Sequence, residues 1–150
     1  MTYPGGKNGS GVYQQIINLI PPHDTYIEPF LGSGTIMRLI RPARASIGID
    51  INADVIAELR QSQTPDLTLI ATDGIKYLEE TLFFPDTFIY CDPPYLFSTR
   101  SSSRAIYAHE LDNAGHARLL LAIKALDCMV MISGYPNAIY DDALSTWRTH

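Results

Sequence analysis

The tetrad Asp92-Pro93-Pro94-Tyr95 joins a carboxylate, two stiff prolines and an aromatic ring. Proline fixes φ and carries no N–H, so consecutive prolines hold carbonyls outward with no local donor to satisfy them. Asp92 and the Pro93 carbonyl are thus suited to accept the two hydrogens of a planar exocyclic amine. Tyr95 can stack on the ring that bears it. The chemistry specified is the handling of an amino group on a nucleobase.

Further acids stand at similar places in the chain. The segment Glu28-Pro29-Phe30-Leu31-Gly32-Ser33-Gly34-Thr35 follows an apolar run and leads into the apolar stretch Ile36 to Ile40. Glycines there permit a tight turn and let a ligand approach the main chain. Asp50 follows Gly32 at close to the spacing of ~20 residues at which an acid holds the ribose hydroxyls in nucleotide-binding βαβ units. Asp73, after Ala71-Thr72, is a third such acid, readable as part of the same nucleoside site, as a helix cap, or as both.

This pattern discriminates between nucleoside cofactors. A dinucleotide site wants a third glycine where this chain has Met37, and no Lys-Ser/Thr pair of a phosphate-binding loop follows the turn. An acid-rich site also repels phosphates. S-adenosylmethionine, cationic and free of phosphate, fits better, and methyl transfer is then the natural reaction.

The elements that must position these residues can be read from hydropathy. Short apolar runs near 25–30, 46–50, 67–71, 87–91 and 129–133 predict buried strands, with helical stretches between them. Val12, Ile16, Ile17, Leu19 and Ile20 suggest one face of an early helix. A second helix over 52–61 is capped by Asn52 and carries Val55, Ile56 and Leu59; a later one starts near Asp112 and runs to about Leu126. Strands alternating with helices predict a mainly parallel, doubly wound α/β domain, with each acid at a strand's carboxyl end. Ligands bind there in open α/β sheets. Tyr90 is expected in the core, Phe97 in either core or site, and His116 on the surface of the late helix.

The composition bounds the rest. The 150 residues suit one domain, and 46% hydrophobic with 18% charged residues is the balance of a globular protein. Cys91 and Cys128 sit in apolar runs and are expected as buried thiols, with neither a disulfide framework nor a metal set. The sequence has no apolar run of membrane-spanning length and no secretion signal. The cysteine usage leads to the expectation of a reducing, cytoplasmic setting. The net charge of −5 opposes a nucleic-acid partner, because phosphate neutralisation supplies much of that affinity. Any basic surface must be local. The stretch Thr99 to Arg104, with Arg100 and Arg104, is the candidate; it reads equally as a solvated loop.

With these motifs in hand, the chain resembles the Dam-type (D12 class) DNA adenine N6-methyltransferases, especially short phage-encoded members. Tyr3-Pro4-Gly5-Gly6-Lys7, Glu28 to Gly34, Gly48-Ile49-Asp50-Ile51-Asn52 and Asp92 to Tyr95 occur in that family's order, followed by a strand-end motif at Ile132-Ser133-Gly134-Tyr135. The resemblance implies a Rossmann-like methyltransferase fold that takes S-adenosylmethionine and methylates N6 of an adenine flipped out of double-stranded DNA. It implies a cofactor pocket of Tyr3, Lys7, Glu28, Phe30, Gly32, Gly34, Asp50, Ile51, Asp73 and Asp92. Asp92, Pro93, Pro94 and Tyr95 would form the catalytic tetrad, and Tyr95, Phe97, Arg100 and Arg104 would meet the substrate.

The sequence departs from the family in two places. Only the stretch 75–86 separates the third motif from the fourth, so no separate target-recognition domain is expected. The sequence stops near Trp147, where a further strand would begin, so the closing antiparallel strands are expected to be absent and a homodimer or completing partner becomes an expectation. The alternatives are an amino methyltransferase acting on RNA or on protein glutamine, or a catalytically incomplete cofactor-binding subunit. A hydrolase built on His109 or His116 lacks a nucleophile elbow.

Overall fold

A computed structural model describes residues 11–62, 66–94 and 111–150. Its strands are β1 (Thr25–Glu28), β2 (Ala45–Asp50), β3 (Leu67–Ala71), β4 (Thr87–Cys91) and β5 (Met129–Ile132). The helices are α1 (Val12–Leu19), α2 (Thr35–Leu39), α3 (Ala53–Gln61), α4 (Gly74–Glu80), α5 (Asn113–Lys124) and α6 (Ala138–Ala143). The strands form a five-stranded sheet in the order β3-β2-β1-β4-β5, with every neighbouring pair parallel.

Period-2 alternation along the strands divides the apolar residues between two faces. Tyr26, Phe88 and Tyr90 pack on one side with Ile36 and Met37 of α2 and Ile56 of α3, and α1 lies against this cluster. Ile27, Ile89 and Cys91 pack on the other with Ile75 and Leu78 of α4, Leu119, Leu120 and Ile123 of α5 and Tyr140 of α6. Helices on both faces bury the central strands, and every residue of β4 is buried. This is the doubly wound architecture expected from the alternation of elements.

The helix starts follow the predicted caps. Asn52 Oδ1 accepts the Asp54 N–H at 3.0 Å, and Asp112 Oδ1 accepts that of Gly115 at 2.7 Å. Two sequence readings need correction. In α1 the inward stripe is Tyr13, Ile16, Ile17 and Ile20, while Val12 and Leu19 are exposed. The stripe keeps the i, i+3, i+4, i+7 spacing that one helix face requires, which Val12 and Leu19 break. His116 is buried, not on the surface, with its Nδ1 2.6 Å from the Tyr140 hydroxyl. It shares the i, i+3, i+4, i+7 stripe of Leu119, Leu120 and Ile123, so the helix turns it into the core. Cys91 is buried as expected, whereas Cys128 is half-buried.

Among the described residues no helix is long and apolar enough to cross a membrane. Beside the edge strand β5 runs a groove of about 800 Å³, lined by Met129, Met131, Leu126 and Trp147 among others.

Candidate active site

Strand order reverses between β1 and β4: the chain winds from β1 out to β3 on one side and from β4 to β5 on the other. Loops leaving such a pair of strands diverge and open a crevice at the carboxyl ends. Glu28 is the last residue of β1 and Asp50 the last of β2; Asp73 precedes α4 and Asp92 directly follows β4. The topology thus gathers four acids, widely separated in sequence, at one end of the sheet.

After β1 the chain passes through Gly32 and Gly34 with φ of 56° and 68°. A side chain is strained in this left-handed region, which explains both glycines. Main-chain bonds tie the turn to β2. Leu31 N–H donates to the Ile49 carbonyl at 2.8 Å, and Gly32 N–H donates to Asp50 Oδ2 at 2.9 Å. Asp50 Oδ1 accepts the Asn52 N–H at 2.9 Å. The buried Asp50 therefore joins the glycine turn to the start of α3, a structural task that the expected ribose role did not include. Each carboxylate oxygen retains a second lone pair for a ligand donor. Beside it Ile51 is 54% exposed, an apolar surface at the mouth of the crevice.

Asp73 caps α4, its Oδ1 accepting the N–H groups of Ile75 at 2.9 Å and Lys76 at 3.4 Å. Arg118, which the sequence reading did not single out, reaches from α5 to within 3.5 Å of Asp73 Oδ2 and forms a two-pronged pair with Glu79 at 2.8 and 2.6 Å. The cap reading of Asp73 is thus present in the structure, and its carboxylate also faces a guanidinium. Phe30 is half-buried and packs against the core cluster around Ile27 and Ile89.

Asp92 is held from β5. The parallel register pairs Cys91 with Ile132, and one step on Ser133 N–H donates to the Cys91 carbonyl at 3.0 Å. Ser133 Oγ then donates to Asp92 Oδ1 at 2.7 Å, and the Tyr90 hydroxyl lies 3.1 Å from Ser133 Oγ. Ser133 was visible in the sequence only as part of the strand-end motif Ile132 to Tyr135.

The electrostatics single out Glu28. It is 3% exposed, and its Oε2 has no hydrogen-bond partner among the described residues. Burial, reinforced by the nearby Asp92 charge, raises its carboxyl well above the usual range, so it gives up its proton less readily than a free carboxyl does. Burial and Asp92 also push the Cys91 thiol up, and burial with Glu28 does the same to the Tyr26 hydroxyl. Tyr3, Lys7, Tyr95, Phe97, Arg100, Arg104 and His109 lie outside the described residues.

No family model matches the sequence, and no curated protein does. Solved structures do match. An Escherichia coli protein named as a candidate methyltransferase, yhhF, superposes with a TM-score of 0.63 at 14% identity, over 91% of this chain and 75% of that one. A candidate methylase from Haemophilus influenzae gives 0.55 at 13% identity, over 83% and 69%. A dimethyladenosine transferase from Plasmodium falciparum gives 0.50 at 21% identity, over 83% of this chain and 42% of that one. The fold is that of the Rossmann-like methyltransferases. Within this methyltransferase fold, Glu28, the Gly32–Gly34 turn and Asp50 border one part of the crevice, and Asp92 with Ser133 borders another.

Proposed function

We propose that this chain transfers a methyl group from S-adenosylmethionine to N6 of adenine in DNA. The observation that carries the reading is the placement of Asp92 directly after β4, across the switch point from the buried Glu28.

The residues present suit this cofactor. Among the described residues Glu28 offers a buried carboxyl oxygen without a partner, a feature that normally costs about 1–3 kcal/mol and that a cationic ligand would satisfy. Gly32 and Gly34 bring bare main chain to the crevice, Asp50 has lone pairs for ribose hydroxyls, and Ile51 presents an apolar surface to an adenine ring. By family resemblance Asp73 would meet that ring's amino group, and Tyr3, Lys7 and Phe30 would complete the set. When bound, S-adenosylmethionine would supply an electrophilic methyl group.

The chain's own residues would act on the acceptor. The lone pair of an exocyclic amine is delocalised into its ring, which makes the nitrogen a poor nucleophile. Asp92 and the Pro93 carbonyl, accepting its two hydrogens, would draw the nitrogen toward tetrahedral geometry and free that pair. Pro94 would hold the turn rigid, and positioning with electrostatic stabilisation would carry the rate. A base inside a duplex must leave the stack first, at a cost of a few kcal/mol. Stacking on Tyr95 would offset roughly 1–3 kcal/mol of it. Phe97, Arg100 and Arg104 would meet the strand, and charge reversal at both arginines would weaken DNA binding and flatten its salt dependence.

The net charge of −5 favours one further reading, a planar amine on a protein glutamine or a short RNA, where fewer phosphates need neutralising. The deciding experiment is transfer of a tritiated methyl group from S-adenosylmethionine to unmethylated DNA, followed by nucleoside analysis. Label in N6-methyladenine is the expected result. Label in RNA or protein but not in DNA would move the substrate to the second reading, and binding without transfer to any acceptor would leave a cofactor-binding subunit.

A further inference from the structure

We propose that Ser133, itself oriented by Tyr90, is a positioning residue that fixes the Asp92 carboxylate for its work on the amine. This role rests on the reading of Asp92 as the amine's acceptor, but the hydrogen-bond chain behind it does not.

The proton inventory gives the chain a single direction. Ser133 has one hydroxyl hydrogen, which goes to Asp92 Oδ1 at 2.7 Å. Ser133 Oγ must then be the acceptor in its 3.1 Å contact with Tyr90, whose phenol is the donor. The Tyr90 ring is 1% exposed and fixed in the core, so the relay is anchored at its far end. Bonds aligned head to tail polarise one another, and a donor to the ionised carboxylate favours the charged form. Glu28 on β1 and Cys91 on β4 are titratable neighbours coupled to Asp92, and both ionise less readily beside its charge. The bond also selects one rotamer of a side chain at a strand end. Reaction rates are sensitive to such placement, since a shift of ~1 Å can cost on the order of 100-fold.

The test uses the full chain in four forms: wild type, Ser133→Ala, Ser133→Thr and Tyr90→Phe. The first readout needs no activity. With 13C-labelled aspartate, the Asp92 carboxyl resonance is assigned by its loss in Asp92→Asn and followed against pH. Its midpoint should rise in Ser133→Ala, rise less in Tyr90→Phe and return toward wild type in Ser133→Thr. An unmoved midpoint in Ser133→Ala overturns the inference whatever the activity. The second readout is methyl transfer, where Ser133→Ala should lower kcat by up to about 100-fold with the dissociation constant for S-adenosylmethionine unchanged, and Ser133→Thr should restore it. A moved midpoint with wild-type kcat overturns the positioning role. A moved midpoint in a wild type that transfers methyl to no acceptor upholds the hydrogen-bond chain and overturns the proposed reaction instead.

Discussion

Asp50 Oδ2 accepts the Gly32 N–H at 2.9 Å across eighteen residues of sequence, so the acid ending β2 also closes the turn that follows β1. Cofactor affinity and local stability are therefore linked at one side chain. Asp50→Ala strips the acceptor from two main-chain N–H groups, those of Gly32 and Asn52. Removing partners from such donors costs about 1–3 kcal/mol. The expected outcome is a fall of that size in urea-measured stability together with weaker binding of S-adenosylmethionine in a titration. An unchanged dissociation constant would remove the ribose role and leave only the structural one.

Glu28 sets a pH dependence whose sign can be worked out. Its carboxyl is raised in the folded chain above the ordinary value of 4.5, so between that pH and its folded midpoint the native state binds more protons than the unfolded state. Stability contributed by this site is then greatest near pH 4.5 and below, and declines as pH rises, by up to about 1 kcal/mol per pH unit. Glu28→Gln, which cannot ionise, should lose this decline. Melting temperatures of the two proteins should converge near pH 4.5 and diverge upward, with the glutamine variant the more stable at pH 8. The same variant should bind S-adenosylmethionine more weakly, because its buried side chain can no longer become an anion beside a cation. Parallel melting curves would refute the assignment.

Asp92→Asn keeps the size of the side chain and an oxygen able to accept from Ser133, but loses the negative charge. Methyl transfer should fall by about 100-fold or more. The melting temperature should stay near that of the wild type, because Asp92 lies beyond the last residue of β4. Activity within a few-fold of wild type would mean that hydrogen-bond acceptance alone, without charge, suffices.

Much of this arrangement was legible in the sequence. Strand positions, the Asn52 and Asp112 caps and the four strand-end acids follow from local hydropathy and capping chemistry, which depend on a few neighbouring residues. What sequence did not give were contacts made across the sheet. The Ser133 bond to Asp92 depends on β4 and β5 pairing in one register, and the approach of Arg118 to Asp73 depends on how α5 sits against α4. His116 lies on the buried stripe with Leu119, Leu120 and Ile123, and the bond to Tyr140 that satisfies its polarity there arises only when α5 meets α6.

Gly74 offers a last test of how the crevice is built. A Cβ there would strike the carbonyl oxygen and carbon of Pro29, so the first turn of α4 packs directly on the main chain leaving β1. Backbone cannot rotate away as a side chain can, and Gly74→Ala must push α4 from the sheet or distort the segment after Glu28. A destabilisation of about 3 kcal/mol is expected by urea denaturation, near the upper range for overpacking. Because Asp73 caps the same helix and Glu28 precedes Pro29, the displacement should also weaken S-adenosylmethionine binding at temperatures where the variant remains folded. Alanine accepted here without loss of stability would show that α4 stands further from Pro29, and the crevice would be wider on that side.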